Sequence, residues 1–145
     1  MESGLELRII LLRHGNDESF GEGQNGRIQI EEAAKRMKAE FVGISKAIIY
    51  SSPLDRAVKS SNILREKLVP EIVSDEVITT DLLKIYKKNV DLLASEISLK
   101  KTDGELLIFV GHQPDFGDFS RRCGSYKSLK NGEYVVVIYR LKPTQ

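Results

Sequence analysis

The chain has little cysteine, little excess charge and no long apolar run, and each scarcity argues against a class of protein. Its single cysteine, Cys123, cannot form an internal disulfide, so we expect a reducing compartment. The net charge of +1 lacks the basic excess typical of nucleic-acid and membrane binders. The longest apolar runs are of strand length, and no signal-like segment opens the sequence. We therefore expect a cytoplasmic protein with no nucleic-acid or membrane partner.

The length and composition indicate one globular domain. The 145 residues are 41% hydrophobic and 30% charged, which is ordinary for a folded protein. A chain of this length is too short for two well-formed hydrophobic cores. We expect residues 1–145 to form a single domain.

Strand-like and helix-like segments alternate along the chain. Short apolar runs predict strands at 5–12, 46–50, 71–79, 106–110 and 134–139. Helical periodicity or start signals predict helices at 30–44, 52–68, 81–97 and 115–122, and four glycines indicate a loop at 15–27. Ser52, Pro53 and Asp55 resemble a capping box, and Asp81 is a candidate N-cap. The alternation predicts an α/β class with a mainly parallel sheet.

Both histidines of the chain stand directly after predicted buried strands. Arg13 and His14 follow the first, His112 follows the strand at 106–110, and Arg56 lies in the first turn of the helix after the second strand. Ligands of open α/β sheets bind outside the carboxyl ends of the strands, so we expect these four residues at one edge of the sheet.

The four side chains suit a phosphoryl group. Arginine offers a planar fork of donors that matches phosphate, a protonated histidine adds charge and a donor, and a helix N-terminus adds backbone N–H groups. A neutral ring nitrogen of one histidine could attack phosphorus and form a covalent intermediate. A metal site is disfavoured, because two histidines are too few ligands for closed zinc coordination and the arginines would repel a cation.

Three motifs carry a family resemblance that covers nearly the whole chain. Residues 12–15 (LRHG) resemble the RHG signature of the histidine phosphatase superfamily, which includes the phosphoglycerate mutases. Residues 51–57 (SSPLDRA) look like its second arginine motif, and residues 110–114 (VGHQP) look like its second histidine motif. The resemblance implies a single-domain three-layer sandwich of the phosphoglycerate mutase type. The short length is similar to that of the SixA-like phosphohistidine phosphatases.

The resemblance also implies a role for each residue. His14 would be the nucleophile that becomes phosphorylated, Arg13 and Arg56 would hold the phosphoryl oxygens, and His112 would donate a further hydrogen bond. No metal or organic cofactor would be needed. The substrate would be a phosphohistidine protein or a phosphorylated small molecule.

The proton donor is the open assignment. Asp81 is the candidate catalytic acid, with a capping role as its alternative; Glu76, Asp17 and Glu18 are weaker candidates. An alkyl phosphate needs an acid to protonate its leaving group, whereas imidazole, with a reference pKa of about 6.5, leaves more easily. A weak acid would therefore suit phosphohistidine or another activated phosphate.

Two other functions remain open. One is a phosphate- or phosphoprotein-binding module with little turnover, and the other is a phosphoglycerate mutase-type phosphotransferase. Phe20 disfavours the mutase, because mutases usually carry asparagine there. Lys84, Lys87 and Lys88 are expected on a solvated helix face, where they could attract an acidic partner.

Overall fold

The computed structural model describes residues 6–15, 20–98, 106–124 and 127–140. Its strands are β1 (Glu6–Arg13), β2 (Lys46–Ser51), β3 (Val73–Ser74), β4 (Ile78–Thr79), β5 (Leu106–Gly111) and β6 (Tyr134–Arg140). Its α-helices are α1 (Asn25–Glu40), α2 (Asp55–Leu68), α3 (Val90–Ser98) and α4 (Asp115–Arg122), and a 3-10 turn spans Asp81–Leu83. The prediction of an α/β class is confirmed.

One six-stranded sheet organises the fold. Its strand order is β3-β2-β5-β1-β6, with β4 also paired to β2. All pairs are parallel except β1 with β6, which is antiparallel. The sheet is thus mixed and mainly parallel. Because β5 lies between β1 and β2, the ends of the three most buried strands are neighbours.

Two hydrophobic clusters cover the two faces of the sheet. Ile10 and Leu12 of β1 pack in the cluster that includes buried residues of α1 and α2. Ile9 and Leu11 pack in the other cluster, which includes buried residues of α3 and α4. Since successive side chains of a strand point to opposite faces, helices on both faces explain the unbroken apolar run.

Two predicted helix boundaries are wrong. The first helix was expected at 30–44, but α1 is Asn25–Glu40, and Gly43 follows it at φ +94°. The helix expected from Asp81 begins only at Val90. Tyr86 and Lys88 interrupt it, because both adopt positive φ, a conformation that an α-helix cannot contain.

No helix among the described residues is long and apolar enough to cross a membrane.

Candidate functional site

The carboxyl ends of β1, β2 and β5 meet at one edge of the sheet. Arg13 pairs with Gly111 across β1 and β5, and the His14 N–H donates to the Gly111 carbonyl at 3.2 Å. On the other side of β5, the Ser52 N–H donates to the Val110 carbonyl at 2.9 Å. The backbone therefore brings the residues that follow all three strands together.

His14 is held in one tautomer by two contacts. Its Nδ1 lies 2.7 Å from the Gly15 carbonyl oxygen, which can only accept, so Nδ1 carries the proton. Its Nε2 lies 3.1 Å from Nε of Arg56, which can only donate. Both contacts require a neutral ring whose lone pair is on Nε2. The ring is 6% exposed, so this arrangement is well shielded from water.

Arg56 is fixed to the His14 loop through a buried serine. Ser60, one turn further along α2, donates to the Arg56 carbonyl at 2.8 Å and accepts from the Gly15 N–H at 2.8 Å. Gly15 in turn accepts from His14 Nδ1. Ser60 thus couples the helix that carries Arg56 to the loop that orients His14.

Gly15 is required by close packing. A Cβ at this position would lie 2.5 Å from the Gly26 carbonyl oxygen and 3.0 Å from the Phe20 ring. Because the first contact is with backbone, a side chain could fit only if α1 moved. This close approach gives the glycine of the RHG motif a local physical reason.

Arg13 is anchored at one end of its guanidinium. Its Nη1 donates to the Leu129 carbonyl at 2.8 Å. Its Nε is buried and has no hydrogen-bond partner among the described residues. A buried donor without a partner is costly and is the kind of group that an anion would satisfy.

His112 packs against His14 near the positive charges of Arg56 and Arg13. The ring centroids are 5.0 Å apart with an interplanar angle of 62°. Burial lowers the pKa of His112 to about 3, and so do, to a smaller extent, any proton that His14 takes up and the charges of Arg56 and Arg13. The expected protonated histidine is therefore neutral in the ligand-free protein at pH 7, and His112 contributes a single N–H rather than a charge.

Ser52 has a different role from the expected cap. Helix α2 begins at Asp55 and its N-cap, Leu54, makes no side-chain capping bond, so the predicted capping box is wrong. Instead, Ser52 Oγ lies 2.8 Å from Nε2 of His112. The tight turn before α2 uses the serine as a partner for the second histidine.

Asp81 lies near this edge but faces solvent. The Thr80 N–H donates to the Ser51 carbonyl, which places the 3-10 turn next to the end of β2. The Thr80 hydroxyl caps that turn by accepting from the Leu82 N–H, so the N-cap is Thr80 and not Asp81. The Asp81 side chain is 80% exposed and lies 3.7 Å from the Lys84 ammonium.

The weaker acid candidates lie elsewhere or are not described. Glu76 lines a groove with residues at the start of β2, the end opposite Ser52. Asp17 and Glu18 lie outside the described residues. Of the weaker candidates, only Glu76 has a described position, and it is away from the site.

Asp115 is a buried acid that sequence analysis missed. It begins α4, three residues after His112, and is 4% exposed. Its two carboxylate oxygens accept from the Tyr86 N–H at 3.1 Å and the Lys88 N–H at 3.3 Å. These bonds hold the two residues that adopt positive φ, Tyr86 and Lys88.

The lysines expected on a helix face lie on this irregular segment instead. Lys84 follows the 3-10 turn, and Lys87 and Lys88 precede α3. Lys84 pairs with Asp81, and Lys88 lies 3.9 Å from Asp118. Through its bonds to the Tyr86 and Lys88 N–H groups, Asp115 connects this segment to the start of α4, three residues after His112.

The described residues contain no group of three or more histidine, cysteine, aspartate or glutamate side chains that could hold a metal ion. Cys123 lies at the end of α4, and burial raises the pKa of its thiol, which disfavours the reactive thiolate.

The fold and the site together define an α/β protein with a histidine pair and two arginines at the carboxyl edge of its sheet. Residues 9–80 match the sequence model of the histidine phosphatase superfamily (branch 1). Over these residues, just under half of the chain, the sequence is similar to that superfamily. No curated protein matches the sequence.

Solved structures share the fold at low sequence identity. A SixA protein histidine phosphatase bound to tungstate superposes with a TM-score of 0.69 at 14% identity, covering 90% of this chain and 94% of that one. A putative α-ribazole-5'-P phosphatase from Escherichia coli gives 0.61 at 13% identity, covering 94% and 96%. Phosphoglycerate mutase from Plasmodium falciparum gives 0.59 at 24% identity, covering 82% and 69%.

Proposed function

We propose that the protein is a metal-independent phosphatase in which His14 is the nucleophile. The observation that carries the proposal is the tautomer of His14. Gly15 holds the ring proton on Nδ1, which leaves the Nε2 lone pair for attack on phosphorus. A histidine that only bound phosphate would instead need to present a proton.

The surrounding donors suit a phosphoryl group. Arg13 Nε is a buried donor that a phosphoryl oxygen would satisfy. Arg56 would turn its guanidinium from His14 Nε2 to another phosphoryl oxygen, which would release the lone pair at the moment the substrate binds. His112 would supply a further N–H. Phosphoryl transfer depends mainly on such positioning and charge stabilisation.

The reaction would proceed in two displacements at phosphorus. In the first, the Nε2 lone pair forms the N–P bond as the bond from phosphorus to the leaving group breaks, and the leaving group departs with that electron pair and takes up a proton from water, or from Asp81 where the leaving group is poor. In the second, water attacks phosphorus, the N–P bond breaks, and its electron pair returns to Nε2 as phosphate is released. The proton on Nδ1 stays directed at Gly15 throughout.

We infer that the substrate carries a good leaving group, with phosphohistidine proteins or small activated phosphates as the class. Asp81 would be the acid for poorer leaving groups. Its carboxylate is exposed and lies 3.7 Å from the Lys84 ammonium. Asp81 would therefore act as the acid only if its side chain turned toward His14. The similarity to a SixA protein histidine phosphatase supports phosphohistidine as the first substrate to test.

One observation favours a second candidate, a phosphate-binding module with little turnover. Arg56 Nε donates to the same Nε2 lone pair that would attack phosphorus. If this bond persisted when phosphate bound, the pocket would bind anions without reacting. The nucleophilic function therefore requires that substrate compete successfully for Arg56.

A steady-state assay with phosphohistidine, aryl phosphates and alkyl phosphates tests the proposal. We expect turnover that falls in that order and is unchanged by EDTA. Arg56→Ala should weaken both phosphate binding and turnover, whereas His14→Ala should abolish turnover and retain part of the binding. Arg65→Ala is the matched control, since Arg65 lies on the same helix and donates to the Ser74 carbonyl. Phosphate binding by wild type without turnover of any substrate would favour the binding module.

A further inference from the structure

Ser52 is a fully buried serine whose hydroxyl has two partners at the site. Its relative exposure is 0%. Its Oγ accepts a hydrogen bond from the Leu54 N–H at 3.3 Å and lies 2.8 Å from Nε2 of His112. A serine hydroxyl has one proton to donate and two lone pairs to accept with. The direction of the bond to His112 is therefore the remaining question.

The need of the Ser52 hydroxyl proton for an acceptor determines whether Ser52 or His112 donates in this hydrogen bond. Among the described residues, His112 Nε2 is the acceptor that lies within hydrogen-bond distance of Ser52 Oγ. If Nε2 carried the proton, the buried hydroxyl proton of Ser52 would lose this acceptor, and His112 Nδ1 would be a buried lone pair. If Ser52 donates to Nε2, the hydroxyl is satisfied, and the ring proton must be on Nδ1.

His112 Nδ1 is the nitrogen left for a ligand. It is buried and has no hydrogen-bond partner among the described residues, as is also true of Arg13 Nε. With the proton on Nδ1, the site contains two donors without a partner among the described residues, from two of the three residues expected to bind phosphate. A negatively charged phosphoryl oxygen would satisfy both, whereas a lone pair at Nδ1 would repel it.

We propose that Ser52 is a positioning residue that fixes His112 as its Nδ1–H tautomer, so that His112 donates to a phosphoryl oxygen. This inference rests on the proposed function for its consequence, but the tautomer itself does not depend on turnover. Both histidines would then be Nδ1–H tautomers, but they would have different roles at the site. His14 offers the lone pair of Nε2, and His112 offers the proton of Nδ1.

Because the pKa of His112 is low, the position of its single ring proton determines how the ring meets a phosphoryl oxygen. A doubly protonated ring would donate from both nitrogens, and Ser52 would then have no influence on which one faces the phosphate. Burial and the neighbouring guanidinium groups of Arg56 and Arg13 keep His112 neutral at pH 7. A neutral ring has only one proton, so its location determines whether the ring attracts or repels an oxyanion.

Nitrogen-15 NMR of the histidine-labelled full chain measures the tautomer directly. With only two histidines in the sequence, a His14→Ala variant leaves His112 as the single source of ring signals. We expect a protonated Nδ1 and an unprotonated Nε2. In His14→Ala/Ser52→Ala we expect the tautomer ratio to shift toward Nε2–H by about tenfold, the effect of one hydrogen bond of ordinary strength. Ser61→Ala in place of Ser52→Ala is the control, because Ser61 is equally buried and its Oγ has no partner among the described residues.

Kinetics test the consequence. Ser52→Ala should lower kcat/KM for phosphohistidine by about tenfold or more, while Ser61→Ala should leave it near the wild-type value. In a His112→Ala background, Ser52→Ala should lower kcat/KM no further, because its effect passes through His112. A protonated Nε2 in the Ser52-containing protein, or an unchanged tautomer ratio after Ser52→Ala, would overturn the inference. The predicted tautomer in a protein without turnover would instead contradict the proposed function and leave the assignment of Ser52 standing.

Discussion

Replacing Ser60 by alanine should uncouple the two halves of the site. Ser60 Oγ is fully buried and holds the Gly15 N–H and the Arg56 carbonyl, both at 2.8 Å. Ser60→Ala would leave the Gly15 N–H buried without its partner, at a cost of about 1 to 3 kcal/mol in the free energy of unfolding. For a chain near 150 residues, that loss corresponds to a decrease of about 2 to 12 °C in Tm.

The effect on activity should exceed a simple loss of stability. Gly15 also accepts the proton of His14 Nδ1, so a loosened Gly15 would leave the nucleophile less well oriented. We expect kcat to decrease at temperatures where the variant is fully folded, as checked by circular dichroism. Denaturant unfolding and steady-state kinetics on the same preparation would measure the two effects separately.

The adjacent serine provides the control. Ser61 is as buried as Ser60, but its Oγ has no partner among the described residues. Because burying an unpaired hydroxyl is unfavourable, Ser61→Ala should leave stability unchanged or raise it slightly. If the two alanine variants lose equal stability and equal activity, the coupling assigned to Ser60 is refuted.

Three further predictions follow from individual side chains. Asp81→Asn should slow alkyl phosphate hydrolysis far more than phosphohistidine hydrolysis if Asp81 is the acid; equal rates relative to wild type on both substrates would exclude that role. Asp115→Asn should lower the free energy of unfolding by about 1 to 3 kcal/mol, because an amide has one acceptor oxygen for the two N–H groups of Tyr86 and Lys88; an unchanged urea midpoint would contradict this. Wild type should lose stability as the pH falls from about 6.5 toward the lowered pKa of His112, about 3, since the unfolded chain takes up a proton that the folded one refuses. The slope from this group is at most about 1.4 kcal/mol per pH unit, and urea unfolding of His112→Gln should lack it; parallel pH curves for the two proteins would exclude His112 as the source.

The main features of the site were predictable because they depend on local patterns. Buried strands can be recognised from apolar runs, and the parallel arrangement of β1, β5 and β2 places Arg13, His14 and His112 at one edge. The RHG glycine and the arginine that follows β2 also lie within short motifs. These features required no knowledge of which distant side chains meet.

The supporting residues were not predictable because their partners are distant in sequence. Ser52 meets a histidine 60 positions away, and Ser60 meets a glycine 45 positions away. Ser52 matched a capping pattern, and that local reading concealed its partner. The start of α3 was mispredicted for a similar reason, since Asp115, 27 to 29 positions away, holds Tyr86 and Lys88 outside the helical conformation.

The central claim is that His14 attacks phosphorus through Nε2, and trapping the intermediate tests it most directly. A phosphoryl-labelled substrate should be mixed with the full chain, quenched rapidly under alkaline conditions and mapped by mass spectrometry. We predict an acid-labile phosphoryl group on Nε2 of His14, formed at a rate equal to or faster than steady-state turnover and absent from His14→Ala. A label on serine or aspartate, or near-normal turnover by His14→Ala, would contradict the account.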